Sequence, residues 1–186
     1  VLGQASEAVK PALAHFTNRG LHVFAFWYEQ RRGAGTERLR VTPPATGHIY
    51  DLLTNQYLGE RSSFDMSMPL EDVRVYAVTP YRIEAPKLSA RSTATAAGNS
   101  VIECRAAVSP RGAAAEPHVV RLQLFAPDGE EWRDFAVNVV AANGVARYSI
   151  VLPLNAPAGT WRVTAREAIS GLSDQAAVGL IQGEAG

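Results

Sequence analysis

"VVAANGVARYSIVL", Val139 to Leu152, sets two runs of apolar and β-branched residues on either side of Asn143-Gly144. Asn and Gly tolerate the positive φ that a tight reversal needs, so the pair signals two strands joined by a two-residue turn. The same pattern repeats on both sides. "APDGEE" (126–131) carries Pro-Asp-Gly turn chemistry. "APAGTWRVTAR" (156–166) turns into a strand with Trp161, Val163 and Ala165 facing inward, and "VIECRAAV" (101–108) places Ile102, Cys104, Ala106 and Val108 on one face. Strands are expected at 88–95, 100–108, 118–125, 132–141, 145–152, 160–167 and 175–182. Seven strands is the count of an immunoglobulin-like sandwich, here without the Cys–Trp–Cys spacing of antibody domains.

The first half carries a related pattern. "HVFAFWY" (22–28) is apolar on both faces and reads as a strand covered on both sides. "ERLRVT" (37–42), "GHIYDLL" (47–53), "SFDMSM" (63–68) and "DVRVYAV" (72–78) follow as short strands. Phe64, Met66 and Met68 share one face, as do Val73, Val75 and Ala77. "GAG" (33–35) reads as a hairpin tip. Ahead of these lies "ASEAVKPALAHFTNRG" (5–20), where Pro11 suits a first helical position, Gly20 suits a stop, and Leu13 and Phe16 would share a helix face. "TPYRIEAPK" (79–87) has two prolines and no apolar period, so it reads as a linker. The expected fold is therefore all-β: two tandem antiparallel β-sandwiches, 1–85 and 86–186, the second immunoglobulin-like, with one short N-terminal helix.

Composition bounds the function. With 47% apolar and 19% charged residues the chain is globular, and a net charge of +0 leaves no basic footprint for nucleic acid or an acidic membrane. No apolar run approaches the ~20 residues of a membrane-spanning helix. The one cysteine, Cys104, forms no intrachain disulfide, and its place in the alternation makes it a core residue, not a nucleophile. The chain begins at Val1, which suggests a processed product or a piece of something longer.

Two kinds of residue could carry chemistry. Asp51, Glu60, Asp65, Glu71 and Asp72 sit among aromatics, but glycoside hydrolysis needs two carboxylates converging across a cleft. Each of these reads more simply as a turn former or a solvated strand face, so no catalytic residue is assigned. His15, His22, His48 and His118 show no metal-binding spacing, so neither metal nor cofactor is expected. Aromatics are stronger candidates. Trp27, Tyr28, Tyr50, Tyr57 and Trp132 would be the stacking platforms if the chain held a sugar.

"YDLLTNQYLGE" (50–60) followed by "SFDMSMPLEDVRVYAVTP" (63–80) resembles the C-terminal β-sandwich that follows the barrel in α-galactosidase-like and amylase-like glycoside hydrolases. The shared plan is a strand ending in Tyr-Asp, a turn, a short strand ending in Leu-Gly, an alternating strand, and an acidic turn into a strand of the Arg-Val-Tyr type. "LQLFAPDGEE" (122–131) and "LPLNAPAGTWRVTAREAISG" (152–171) look like bacterial immunoglobulin-like or macroglobulin-like repeats of large extracytoplasmic proteins. These resemblances imply a non-catalytic accessory region of a larger extracytoplasmic bacterial protein, a glycoside hydrolase. Its partner would be the catalytic domain of the same chain, with no nucleic acid and no membrane span. The alternatives are a carbohydrate-binding module using the exposed aromatics and a cell-surface adhesion or assembly segment.

Overall fold

The computed structural model describes residues 11–28, 35–69, 72–94, 99–108 and 117–180, and these are almost entirely antiparallel strands. The chain divides into two compact units, Val1–Pro80 and Tyr81–Gly186.

In the first unit a five-stranded sheet runs in the order β1 (Ala12–Asn18), β2 (Leu21–Trp27), β7 (Arg74–Thr79), β4 (Gly47–Asp51), β5 (Gln56–Arg61). A two-stranded ribbon, β3 (Thr36–Val41) with β6 (Phe64–Pro69), supplies the opposing layer. Phe24, Phe26, Ile49, Tyr76 and Val78 from the sheet meet Val41, Phe64, Met66 and Met68 from the ribbon in one core. The alternation of "SFDMSM" is thus realised: Phe64, Met66 and Met68 are buried and Asp65 and Ser67 are exposed. Gly47 has to be glycine, because a Cβ there would lie 2.7 Å from the Thr79 carbonyl oxygen and from Val78 Cγ1.

Several expectations for this half are corrected. Residues 12–18 of the expected helix form β1, while 5–10 lie outside the described residues. A lone amphipathic turn has little to hold it, whereas β1 gains a full ladder on β2, from Ala12↔Trp27 to Asn18↔Leu21. Arg19 takes φ 51° in the turn between them. Leu13 and Phe16 fall on opposite faces of this strand, and Phe16 is 64% exposed. The core face of β7 is Tyr76 and Val78; Val73 precedes the strand and is exposed. Strands β2 and β3 lie in different sheets, so no hairpin joins them; Gly33 and Ala34 lie outside the described residues. Finally, "HVFAFWY" is fully buried on one face only, through Phe24 and Phe26, with Val23, Ala25 and Trp27 half-buried on the other.

The second unit has seven strands: β8 (Lys87–Ala94), β9 (Ser100–Ala107), β10 (His118–Phe125), β11 (Val137–Ala141), β12 (Val145–Val151), β13 (Gly159–Glu167) and β14 (Ser173–Leu180). They form a sheet β11-β10-β13-β14 and a sheet β12-β9-β8. In the constant-type immunoglobulin order the fourth strand joins the first, second and fifth. Here the fourth, β11, pairs with the third, from His118↔Ala141 to Leu122↔Val137. Asn143 (φ 53°) and Gly144 (φ 76°) make the expected turn, but a single bridge, Ala142↔Val145, closes it. The strands on either side then join different sheets, so the turn is a corner between layers. The start of the expected 132–141 strand is instead a 3-10 turn at Arg133–Phe135.

The inner faces match the expected alternation. Ile102, Cys104, Ala106 and Val108 are buried, as are Val120, Leu122 and Leu124, and Trp161, Val163 and Ala165. Trp161 has no exposed surface, packs edge-on against Trp132 at 4.7 Å between ring centroids, and donates its indole N–H to the Pro157 carbonyl at 3.0 Å. Gly159, two residues earlier, has φ 129°, and a Cβ there would sit 3.1 Å from Pro127, so the two turns touch at one end of the sandwich. The stretch 79–87 is not a bare linker: Thr79 ends β7, and Ile83 and Pro86 are buried. Trp161→Ala is expected to cost about 3–5 kcal/mol, the range for truncating a buried aromatic. Urea melts of the two proteins measure this.

Candidate functional site

Each described carboxylate of the first unit has local surroundings of its own. Asp51 ends β4 and accepts the backbone N–H groups of Leu53 (2.9 Å) and Thr54 (3.2 Å), so it shapes the turn into β5. Glu60 stands opposite His48 in the ladder, toward the other end of that hairpin, with its carboxylate 3.9 Å from His48 Nε2. Asp65 is on the separate ribbon, opposite Arg40. Asp72 accepts from the Val73 N–H at 2.8 Å and pairs with Arg74 at 2.9 Å. Glu71 lies outside the described residues. Asp51 and Asp65 stand on strands of different sheets.

Of the five aromatic candidates, Tyr50 and Tyr57 are in ring contact and Trp132 lies in the other unit. Tyr50 corrects the expectation of an exposed platform, being 2% exposed with its ring tilted against Tyr57 at 5.1 Å. Tyr57 shares a 2.7 Å hydrogen bond with His48 Nδ1. Tyr28 donates to Glu37 at 2.6 Å; loss of solvent, then that bond and the neighbouring charge, push its phenol up to about 12. Trp27 is half-buried at the end of β2. Trp132 belongs to the other unit, where it packs on Trp161 and stacks on Phe135 at 5.7 Å. Burial raises the Cys104 thiol to about 11, far from a nucleophile's range. Among the described residues no group of three His, Cys, Asp or Glu side chains could hold a metal.

The densest polar cluster is one that pattern reading passed over. Glu167, the last residue of β13, has no exposed surface. Its Oε1 lies 3.0 Å from Nδ1 of buried His118, and its Oε2 accepts the Ser170 N–H and hydroxyl, each at 2.7 Å, and the Ile169 N–H at 3.1 Å. His118 Nε2 is in turn 2.9 Å from the Tyr81 hydroxyl. Burial by itself would raise the Glu167 carboxyl, but the bonds from His118, Ser170 and Ile169 together outweigh it and hold the group below its ordinary 4.5. Ser, His and an acid are all present, yet the acid lies between Ser and His, and all three are buried. The Ser170 hydroxyl donates to Glu167 and not to His118, and the hydroxyl at His118 is that of Tyr81, so the order is not that of a Ser–His–acid triad. The cluster fixes the β13–β14 turn to the start of β10 and to Tyr81. Asp174 does related work across the sheets, accepting the Leu88 N–H at 2.8 Å. The sequence holds a faint signal for both: acids at strand positions where the alternation calls for an apolar or neutral residue.

A shallow hollow of about 540 Å³ lies on the β12-β9-β8 sheet, lined by Ser89, Arg91, Glu103, Arg105, Arg147 and Ser149 among others. Arg91 pairs with Glu103 at 2.6 Å.

No protein-family model and no curated protein matches the chain. Solved structures give distant likenesses, among them three proteins. An isomalto-dextranase of Arthrobacter globiformis T6, complexed with panose, is 14% identical over 72% of this chain, with TM-score 0.27. A putative beta-galactosidase of Bacteroides fragilis is 13% identical over 87% of it, with TM-score 0.36. The chicken interferon gamma receptor alpha chain is 11% identical over 92% of this chain and 98% of its own, with TM-score 0.34. The chain spans 30% and 33% of the first two proteins. No helix among the described residues is long and apolar enough to cross a membrane.

The lowered Glu167 carboxyl sets an acid limb. Its contribution is complete above the unfolded value and is lost as pH falls through the lower folded value, because the unfolded chain then binds the proton more readily. Glu167→Gln is expected to cost about 3 kcal/mol at neutral pH, as breaking a buried pair does. Urea melts from pH 7 to 3 should show the parent losing its advantage over Glu167→Gln below about pH 4.5.

Proposed function

We propose that the chain is a non-catalytic accessory region of a larger extracytoplasmic bacterial protein, a glycoside hydrolase, and that its first unit packs against a neighbouring domain of the same polypeptide. The observation that carries this is the outer face of the five-stranded sheet. Strand register aligns Phe16, Val23, Ala77 and Tyr50 in one row across β1, β2, β7 and β4. Ala14, Ala25 and Val75 form a second row, and Ala12 stands beside Trp27. These two rows are apolar and lie opposite the face that meets the ribbon; Ala77 and Tyr50 are already buried, and exposure rises toward β1. The first row runs out to Phe16, 64% exposed on an edge strand. A sheet that is apolar on both faces fits between two layers, and the ribbon provides one of them. The carboxylates act as turn formers and charge partners, which suits a region that positions a catalytic domain without doing its chemistry.

Phe16→Asp tests the docking face. In the isolated chain it should change stability by less than about 0.5 kcal/mol, as exposed substitutions do. In the full-length protein it should lower the unfolding midpoint and release the unit to proteolysis. An equal effect in both settings would mean that Phe16 packs only within its own unit.

The chain itself is expected to hydrolyse no aryl glycoside and to migrate unretarded through gels containing soluble polysaccharide. Turnover lost in Asp51→Asn or Asp65→Asn would make it an enzyme. Retardation abolished by Trp27→Ala would make it a carbohydrate-binding module.

A further inference from the structure

The β1–β2 hairpin brings together two histidines that stand seven apart in the sequence. Thr17 pairs with His22 and His15 with Phe24, so His15 and His22 are diagonal neighbours on one face of the ribbon. Their nearest ring nitrogens, His15 Nε2 and His22 Nδ1, lie 3.1 Å apart at the surface. Phe24 lies against both rings, 4.3 Å from His15 at 13° between planes and 6.3 Å from His22 at 14°. Phe24 is itself fixed in the core, so the two imidazoles stand on a rigid base.

We propose that His15 and His22 chelate a single divalent transition metal of the Zn²⁺, Ni²⁺ or Cu²⁺ class. A metal–imidazole bond is about 2.0–2.1 Å, so two nitrogens on one ion are about 2.9 Å apart at a right angle and about 3.4 Å apart at the tetrahedral angle. The observed 3.1 Å lies between these limits, so the nitrogens already stand at a chelating separation, and each ring would turn to aim its lone pair at the shared ion. Without metal, the two ring nitrogens share a hydrogen bond. With metal, each ring would carry its single proton on the nitrogen that does not ligate; the hydrogen bond between the rings is given up, and the two new metal–nitrogen bonds replace two metal–water bonds. Two protein ligands leave the remaining positions to water. Because β1 is the edge of its sheet, the ion would clamp the outermost strand to its neighbour across the turn.

The test uses the untagged chain, titrated calorimetrically with ZnCl₂, NiCl₂ and CuCl₂ at pH 7.5, alongside His15→Gln, His22→Gln, the double variant, and His48→Gln as a control. Both substituted rings border solvent, and circular dichroism confirms that each variant is folded. The expected result is one equivalent bound, at least tenfold weaker in either single variant, absent in the double and unchanged in His48→Gln. Binding should fade in acid, since only neutral imidazole ligates, and the metal should raise the unfolding temperature of the parent but not of the single variants. Absence of stoichiometric binding would overturn the proposal. So would binding that survives the double substitution, or binding lost in one single variant but kept in the other, which would show a lone imidazole in place of a chelate.

Discussion

Each sheet here has an apolar inner face that must find an opposite sheet. A strand presents its side chains alternately to two sides, and a hydrophobic face left in water costs on the order of 25 cal/mol for every Å². In the second unit that requirement is met by two sheets closing over Trp161, Ile102 and Leu122, all buried. In the first, five strands face only two, and the narrow ribbon covers one side of the wider sheet. The same constraint explains both the tight core at Met68 and the apolar rows that continue on the far side, through Val23 and Phe16.

Polar groups have been drawn into this closure. Asp51 holds a turn, Asp174 holds β8 to β14, and Glu167 gathers backbone and side-chain donors around a buried carboxylate. A buried charge is tolerated only when its lone pairs are satisfied, and Glu167 meets that condition with four close partners, His118 among them. Such groups give a sandwich a defined geometry at its ends, where the apolar core thins out.

Most of the second unit was legible in the sequence. Period-two alternation in "VIECRAAV" and "TWRVTAR", punctuated by Pro-Asp-Gly and Asn-Gly, marks the strands, because a half-buried strand imposes that period directly on the side chains. What failed was information about partners. Asn143-Gly144 determines that the chain reverses there, but the sheets that β11 and β12 join depend on strands β10 and β9, which are remote in sequence. "PALAHFTN" carries a weak helical pattern, and a strand won because β2 offers a ladder that no local window can reveal.

The candidate site divides along the same line. The sequence by itself determined that Phe64, Met66 and Met68 point inward, that Trp161 anchors a core, and that no local motif joins a nucleophile to a base. Tertiary structure alone decided that Tyr50 is buried, that His118 meets Glu167 and Tyr81, and that His15 lies beside His22. The physical reason is range. Alternation and turn chemistry act over two to four residues, whereas these contacts are set by register between strands, which is chosen by the burial of whole faces at once.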